Sequence, residues 1–249
     1  MARGSGHEAV DRFPHSLSGG EVVGVAGHRR LDGFIGGVEV ERGGLVGFRF
    51  PGTLVFLRAA EQTAPSRGTA VDHIGLKVKS LAGTLERWRS RGYGVDSERV
   101  DDPGAPVAFI TMPDGLALEL IQDAEITTVA VFDHVHFHTP DAGSLDTSYQ
   151  ELLGATPQRR DGGDIVSHVP GSDLIFSRTE TSLTPTVGTV IDHIGFEVDD
   201  IEAFTKRLRN AGIEMESAPR YVERLDLWVA FFTDESGTRV EITQGLDTW

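Results

Sequence analysis

Apolar residues fall at every second position in Val71-Asp72-His73-Ile74-Gly75-Leu76-Lys77-Val78. Ile191-Asp192-His193-Ile194-Gly195-Phe196-Glu197-Val198 restates the pattern 120 residues later. Period-two patterning predicts a half-buried β-strand, and it sets each His on the strand face of the Gly two places on. A helical pattern follows each copy. Ser80 suits an N-cap, Leu81, Leu85 and Trp88 share one helical face, and Gly92 suits the stop. In the later copy Ile201, Phe204, Leu208 and Ala211 form the face and Gly212 the stop. Strands return at 107–111 and 116–121, and again at 227–233 and 238–243, around the turns 112–115 and 234–237. In these closing strands Leu118-Glu119-Leu120 and Val240-Glu241-Ile242 hold an acid between apolar residues. The acid points to the opposite face from its neighbours. If that face is a concave interior, the acid needs a partner there, and a metal ion is a common one.

A third copy begins at Val131-Phe132-Asp133-His134-Val135-His136-Phe137-His138, with its three His on one face. Pro140 and Asp141 start a helix that buries Leu145, Tyr149, Leu152 and Leu153 and stops at Gly154. Strands follow at 165–168 and 174–178, and the loop 183–188 mirrors 63–68. Ahead of residue 70 only later strands are recognisable, at 37–40, 45–48 and 53–58, where Phe56-Leu57-Arg58 matches Phe176-Ser177-Arg178. His15 lies nearest to where that unit's His belongs, although the adjoining Pro14 is a poor strand residue. The units give an α+β chain of tandem βαβββ modules in two domains, 1–126 with a degenerate first module and 127–249.

Composition narrows the function. A net charge of −15 and a pI near 4.9 argue against a nucleic-acid or anionic-membrane partner. Without cysteine there are no disulfides, iron–sulfur clusters or thiol catalysis. No apolar run approaches the ~20 residues that span a bilayer, and residues 1–20 hold no signal-peptide core, so a cytoplasmic location is expected.

The tandem βαβββ units, with Asp-His in opening strands and Glu in closing strands, resemble the vicinal oxygen chelate superfamily. That superfamily includes glyoxalase I, methylmalonyl-CoA epimerase, fosfomycin-resistance proteins, extradiol dioxygenases and bleomycin-resistance proteins. The resemblance implies cups of paired modules, each able to hold a divalent metal. Carried over by position, the second half supplies His134, His193 and Glu241 as ligands, a set suited to Fe, Mn, Zn or Ni. His73 and Glu119 make a further pair. If modules pair across the halves, as in some members, His134 joins His73 and Glu119 instead, and the sequence leaves both arrangements open. The fourth ligand of glyoxalase I falls near Ile175, so a three-ligand site is expected.

His136 is the candidate general base beside the metal, with Glu241 the second catalytic candidate. Lys77, Glu197, Arg220, Tyr221 and Trp228 are candidate pocket residues. The expected activity is metal-dependent proton transfer, as in a lyase or isomerase, on a small oxygen-bearing molecule, and the resemblance leaves room for a homodimer. Extradiol ring cleavage ranks second. Residues 169–192 lack the acid–base His of that pattern, and residues 222–240 lack its second His and its Tyr. A non-catalytic binding or resistance protein ranks third. A thiol transferase acting on an antibiotic is weakest, since only Arg220 and Arg239 offer a nearby cation.

Overall fold

The computed structural model describes residues 21–26, 36–58, 60–100, 104–159 and 163–249. Four modules follow in order. The first is β1 (Glu21–Ala26), β2 (Val38–Arg42), β3 (Leu45–Phe50) and β4 (Thr53–Arg58). The second is β5 (Val71–Val78), α1 (Leu81–Ser90), β6 (Ser97–Val100), β7 (Pro106–Thr111) and β8 (Ala117–Gln122). The third is β9 (Ala130–Thr139), α2 (Ala142–Leu153), β10 (Thr156–Arg159), β11 (Ile165–Val169) and β12 (Ser172–Arg178). The fourth is β13 (Ile191–Glu197), α3 (Ile201–Asn210), β14 (Arg220–Val222), β15 (Leu227–Thr233) and β16 (Arg239–Gln244).

Local chemistry sets the helix ends. The side chains of Ser80, Asp141 and Asp200 accept hydrogen bonds from the backbone N–H groups of Gly83, Ser144 and Ala203, satisfying donors that a first helical turn leaves free. Gly154 closes α2 with φ 76°, a left-handed value that costs glycine least. Ala211, expected on the buried face of α3, is its exposed C-cap instead.

The modules do not pair as 1–126 and 127–249. One sheet runs β14-β15-β16-β13-β1-β4-β3-β2 and joins the fourth module to the first. The other runs β10-β11-β12-β9-β5-β8-β7-β6 and joins the third to the second. Connection length is the reason. Only residues 123–129 separate β8 from β9, so these neighbours stay in one sheet, as sequential strands usually do. The 12-residue connections 59–70 and 179–190 cross between sheets and bond to each other: Thr63 N–H donates to Gly188 O at 2.9 Å and Thr184 N–H to Gly68 O at 3.1 Å.

One apolar core draws on both sheets and all three α-helices and holds Trp88, Leu76, Leu118, Leu145, Phe137 and Phe176. Tyr149 on α2 contacts Phe137, Phe176 and Phe196, and its hydroxyl donates to Asp234 at 2.8 Å, tying the two sheets together. No helix among the described residues is long and apolar enough to cross a membrane.

The opening strand of the first module is β1, later in the chain than the His15 position, and His15 lies outside the described residues. The turns Pro51-Gly52 and Pro170-Gly171 are equivalent, which sets Phe56 at the place of Ile175 rather than Phe176. Ladder register then puts Val22, opposite Gly195, where His134 stands opposite Gly75.

Candidate metal centre

His73 and His134 face each other across the antiparallel ladder of β5 and β9, where Gly75 pairs with His134 and His73 with His136. The ladder slips at two places and leaves Asp72 and Asp133 without opposite partners. Such bulges re-aim side chains. Here each turns an Asp toward the following His: Asp72 Oδ2 lies 2.8 Å from His73 Nδ1, and Asp133 Oδ2 lies 2.8 Å from His134 Nδ1. Gly75 provides the space, because a Cβ there would stand 2.1 Å from His134 Cε1. Glu119 reaches the same point from β8, which runs parallel to β5 with Glu119 opposite Gly75.

Three ligand atoms form a small triangle. Glu119 Oε2 is 3.2 Å from His134 Nε2 and 3.4 Å from His73 Nε2, and the two nitrogens are 3.5 Å apart. A tetrahedral ion with ~2.05–2.1 Å bonds holds its ligand atoms ~3.4 Å apart. A carboxylate only accepts hydrogen bonds, so Asp72 and Asp133 keep the protons on Nδ1 of both rings. Each Nε2 then holds either a lone pair or a second proton. Two lone pairs would converge on the Glu119 oxygen, whereas two protons would set imidazolium rings against each other. A cation at the centre resolves both conflicts, and the Asp–His contacts are the outer support that metal-bound His usually has.

The electrostatics agree. Burial works against charge on Glu119, but hydrogen bonds from His134 and His73 outweigh it and hold the carboxyl far below its usual range. Burial also opposes charge on His134, yet Asp133 and Glu119 outweigh it and raise the pKa of the ring. Asp133 is anchored by Lys77, whose Nζ lies 2.6 Å away, and Arg99 donates to the outer oxygen of Glu119 at 2.8 Å. His134 is fully buried, and His73 and Glu119 are 4% and 7% exposed, so bulk water is kept from the triangle. Asp133→Ala is expected to weaken metal binding about 10–100-fold. A competition titration against a colorimetric chelator measures this, and unchanged affinity would remove the supporting role of Asp133.

His136 lies beside the triangle, and one ring nitrogen each of His73, His134 and His136 fall within 4.8 Å of one another. Burial, followed by the neighbouring charges of His73 and His134, pushes its pKa down to about 2, so the ring is neutral. Its Nε2 is 2.8 Å from Ser177 Oγ, and the Ser177 hydroxyl donates to the Asp164 carboxylate. Ser177 therefore accepts from His136 Nε2–H, which leaves the lone pair on Nδ1. That atom is buried and has no hydrogen-bond partner among the described residues. Phe109 meets the His73 ring edge-on at 5.1 Å, and the guanidiniums of Arg67 and Arg99 lie 5.0 and 4.9 Å from the Phe109 ring.

The expected set His134, His193 and Glu241 is not brought together, because His134 is in one sheet and the other two are in the other. His193 Nε2 is 3.3 Å from Glu241 Oε2, and His193 Nδ1 is 2.8 Å from Asp192 Oδ1. With Val22 at the third register position, the pair has no second imidazole among the described residues. Burial opposes charge on His193, but Asp192 and Glu241 outweigh it and push its pKa up to about 9. A raised folded pKa stabilises fully below the unfolded value of about 6.5, and the benefit is lost as pH rises through about 9. Between these limits the wild-type Tm is expected to fall more steeply than that of His193→Asn. Parallel Tm curves would contradict this.

The other pocket candidates divide. Glu197 accepts from Thr243 Oγ1 at 2.6 Å and from the Gly245 and Leu246 N–H groups, so it caps the turn at Leu246–Thr248 rather than lining a cup. Tyr221 and Trp228 are 47% and 37% exposed and pack on each other outside the cavity, because the neighbouring Leu227 and Val229 take the inward face. Sequence reasoning missed Arg99, Ser177 and Asp164. Only the thrice-repeated Asp-His dipeptide signalled the supporting carboxylates.

Residues 131–242 match the family model described as the Glyoxalase/Bleomycin resistance protein/Dioxygenase superfamily. Among solved structures, the chain is similar to glyoxalase I from Zea mays, with TM-score 0.68, 16% identity and 92% of each chain covered. A Bacillus subtilis subsp. subtilis str. 168 protein, provisionally named a dioxygenase, has TM-score 0.69 at 14% identity, over 92% of this chain and 86% of that one. No curated protein sequence matches this chain. Residues 131–242 therefore match the glyoxalase-type superfamily in sequence, and the chain shares the fold of glyoxalase I over 92% of its length.

Proposed function

We propose that the chain is a divalent-metal-dependent enzyme acting on a small molecule with adjacent oxygens, and that His73, His134 and Glu119 are the metal's ligands. The observation that carries this reading is the triangle of Nε2, Nε2 and Oε2 at 3.2–3.5 Å, with both Nδ1 atoms held by Asp. When bound, the ion polarises substrate oxygens and stabilises the negative charge that develops on them. The chain's residues do the rest. Asp72 and Asp133 fix the two rings. Arg99 holds Glu119 in place. His136 takes a proton from the substrate carbon at Nδ1, while its Nε2 proton shifts through Ser177 toward exposed Asp164. This is proton-transfer chemistry of the lyase or isomerase kind, and Nδ1 of His136 is the atom that performs it.

Oxygen-dependent ring cleavage is the second reading, favoured by the two-His, one-carboxylate donor set that open-site Fe(II) oxygenases use. The two are separated by loading the protein with Mn(II), Fe(II), Ni(II) or Zn(II). Exchange of carbon-bound hydrogen is followed by NMR in deuterated water on a panel of α-hydroxyketones and 2-oxo acids, and oxygen uptake is followed on catechols. Metal-dependent exchange without oxygen uptake is the expected result. Oxygen uptake on a catechol establishes the second reading, and inactivity in both assays with all four ions counts against the enzyme.

A further inference from the structure

We propose that the concave face of the sheet built from the first and fourth modules is a second, metal-free site that binds a small organic anion with an apolar body. It is separate from the centre proposed above and does not depend on it. The face encloses a cavity of about 250 Å³. Its floor is apolar: Phe56, Leu227 and Leu246 belong to a buried cluster separate from the main core. Its polar lining is cationic. Arg58, Arg220, Arg224 and Arg239 line it against two carboxylates, Asp192 and Glu241, in a chain whose net charge is −15.

Three of these arginines are engaged. Arg58 pairs with Asp192 at 3.3 Å, Arg239 pairs with Glu216 at 2.6 Å and reaches Asp192 at 3.5 Å, and Arg224 donates to Gly43 O at 2.6 Å. Arg220 has no hydrogen bond or ion pair among the described residues. Ladder register makes it the counterpart of Arg99: Arg99 pairs with Val107 and Arg220 with Val229, at equivalent positions of their sheets. Arg99 is held by Glu119, whereas Glu241, the counterpart of Glu119, is taken by His193.

One open guanidinium beside an apolar floor is a complement for one carboxylate on a compact apolar group, since the planar fork matches that anion in two hydrogen bonds. The volume lies below the ~300–1,000 Å³ usual for drug-sized ligands, which limits the occupant to a single small ring or a short branched chain.

The test uses the full chain as purified, titrated calorimetrically with benzoate, benzamide and inorganic phosphate, and repeated on Arg220→Gln and His134→Ala. One benzoate per chain is expected, bound about tenfold or more tightly than either benzamide or phosphate. Arg220→Gln is expected to weaken benzoate binding by a similar factor with Tm unchanged, because Arg220 is exposed and makes no hydrogen bond or ion pair among the described residues. His134→Ala is expected to leave it intact. Absent benzoate binding overturns the proposal, and so does benzamide or phosphate binding as tightly. These ligand comparisons need no variant. An unaffected Arg220→Gln, or loss in His134→Ala, equally overturns it, the latter by assigning benzoate to the other cup.

Discussion

Gly75→Ala is expected to abolish metal binding and to destabilise the fold. The new methyl carbon would lie 2.1, 2.3 and 2.7 Å from Cε1, Nδ1 and Nε2 of His134, so it overlaps the ring itself. The ring cannot yield cheaply. It is fully buried, held at Nδ1 by Asp133, and set in the central pairing of its sheet. Either His134 leaves the triangle or β5 and β9 separate, and overpacking of this kind costs typically about 1–3 kcal/mol. The cause can be isolated by a double-mutant cycle. Denaturant unfolding should show a large loss for Gly75→Ala in the wild-type background and a small one in the His134→Ala background, where the ring is gone. Equal losses would mean that Gly75 serves something other than the ring, and full metal content in Gly75→Ala would contradict the close-approach argument.

His136→Ala is expected to lower metal-dependent exchange about 10²–10⁴-fold, the usual contribution of a positioned general base, with metal content retained. At ~1.36 kcal/mol per factor of ten this is roughly 3–5 kcal/mol of barrier. Ser177→Ala is expected to give a smaller loss of the same kind, because the imidazole remains but loses the partner that fixes its tautomer and takes its Nε2 proton. Elemental analysis beside the rate measurement separates this role from another. If His136→Ala loses metal together with activity, His136 is a ligand and not a base.

Much of the fold was legible because alternation and helical periodicity recur at fixed offsets, and three copies of Asp-His marked the opening strands. The module pairing was legible in principle from connection lengths, with only residues 123–129 between the second and third modules. Assignment of His134 to His193 followed from dividing the chain into halves, and that division ignored those lengths. Only the opening position of the first module was misplaced. The module runs 36 residues from Val22 to Arg58, where the third runs 43 from His134 to the equivalent Ser177, so a constant offset pointed to His15. Arg99 and the Ser177–Asp164 link had no signature, since their roles arise from strands that meet only in the folded sheet. Tyr221 and Trp228 illustrate the reverse case: aromatic residues near a cup in sequence, turned outward by one step of strand alternation.

Metal content per chain in three proteins decides which residues hold the ion. Wild type, His134→Ala and His193→Ala are each loaded with the same ion, desalted and measured by elemental analysis. About one ion per chain in wild type, none in His134→Ala and about one in His193→Ala is the expected result, because binding free energy depends on a complete ligand set. Loss in His193→Ala with retention in His134→Ala, or no metal in wild type after loading with Fe(II), Mn(II), Ni(II) and Zn(II) in turn, would contradict it.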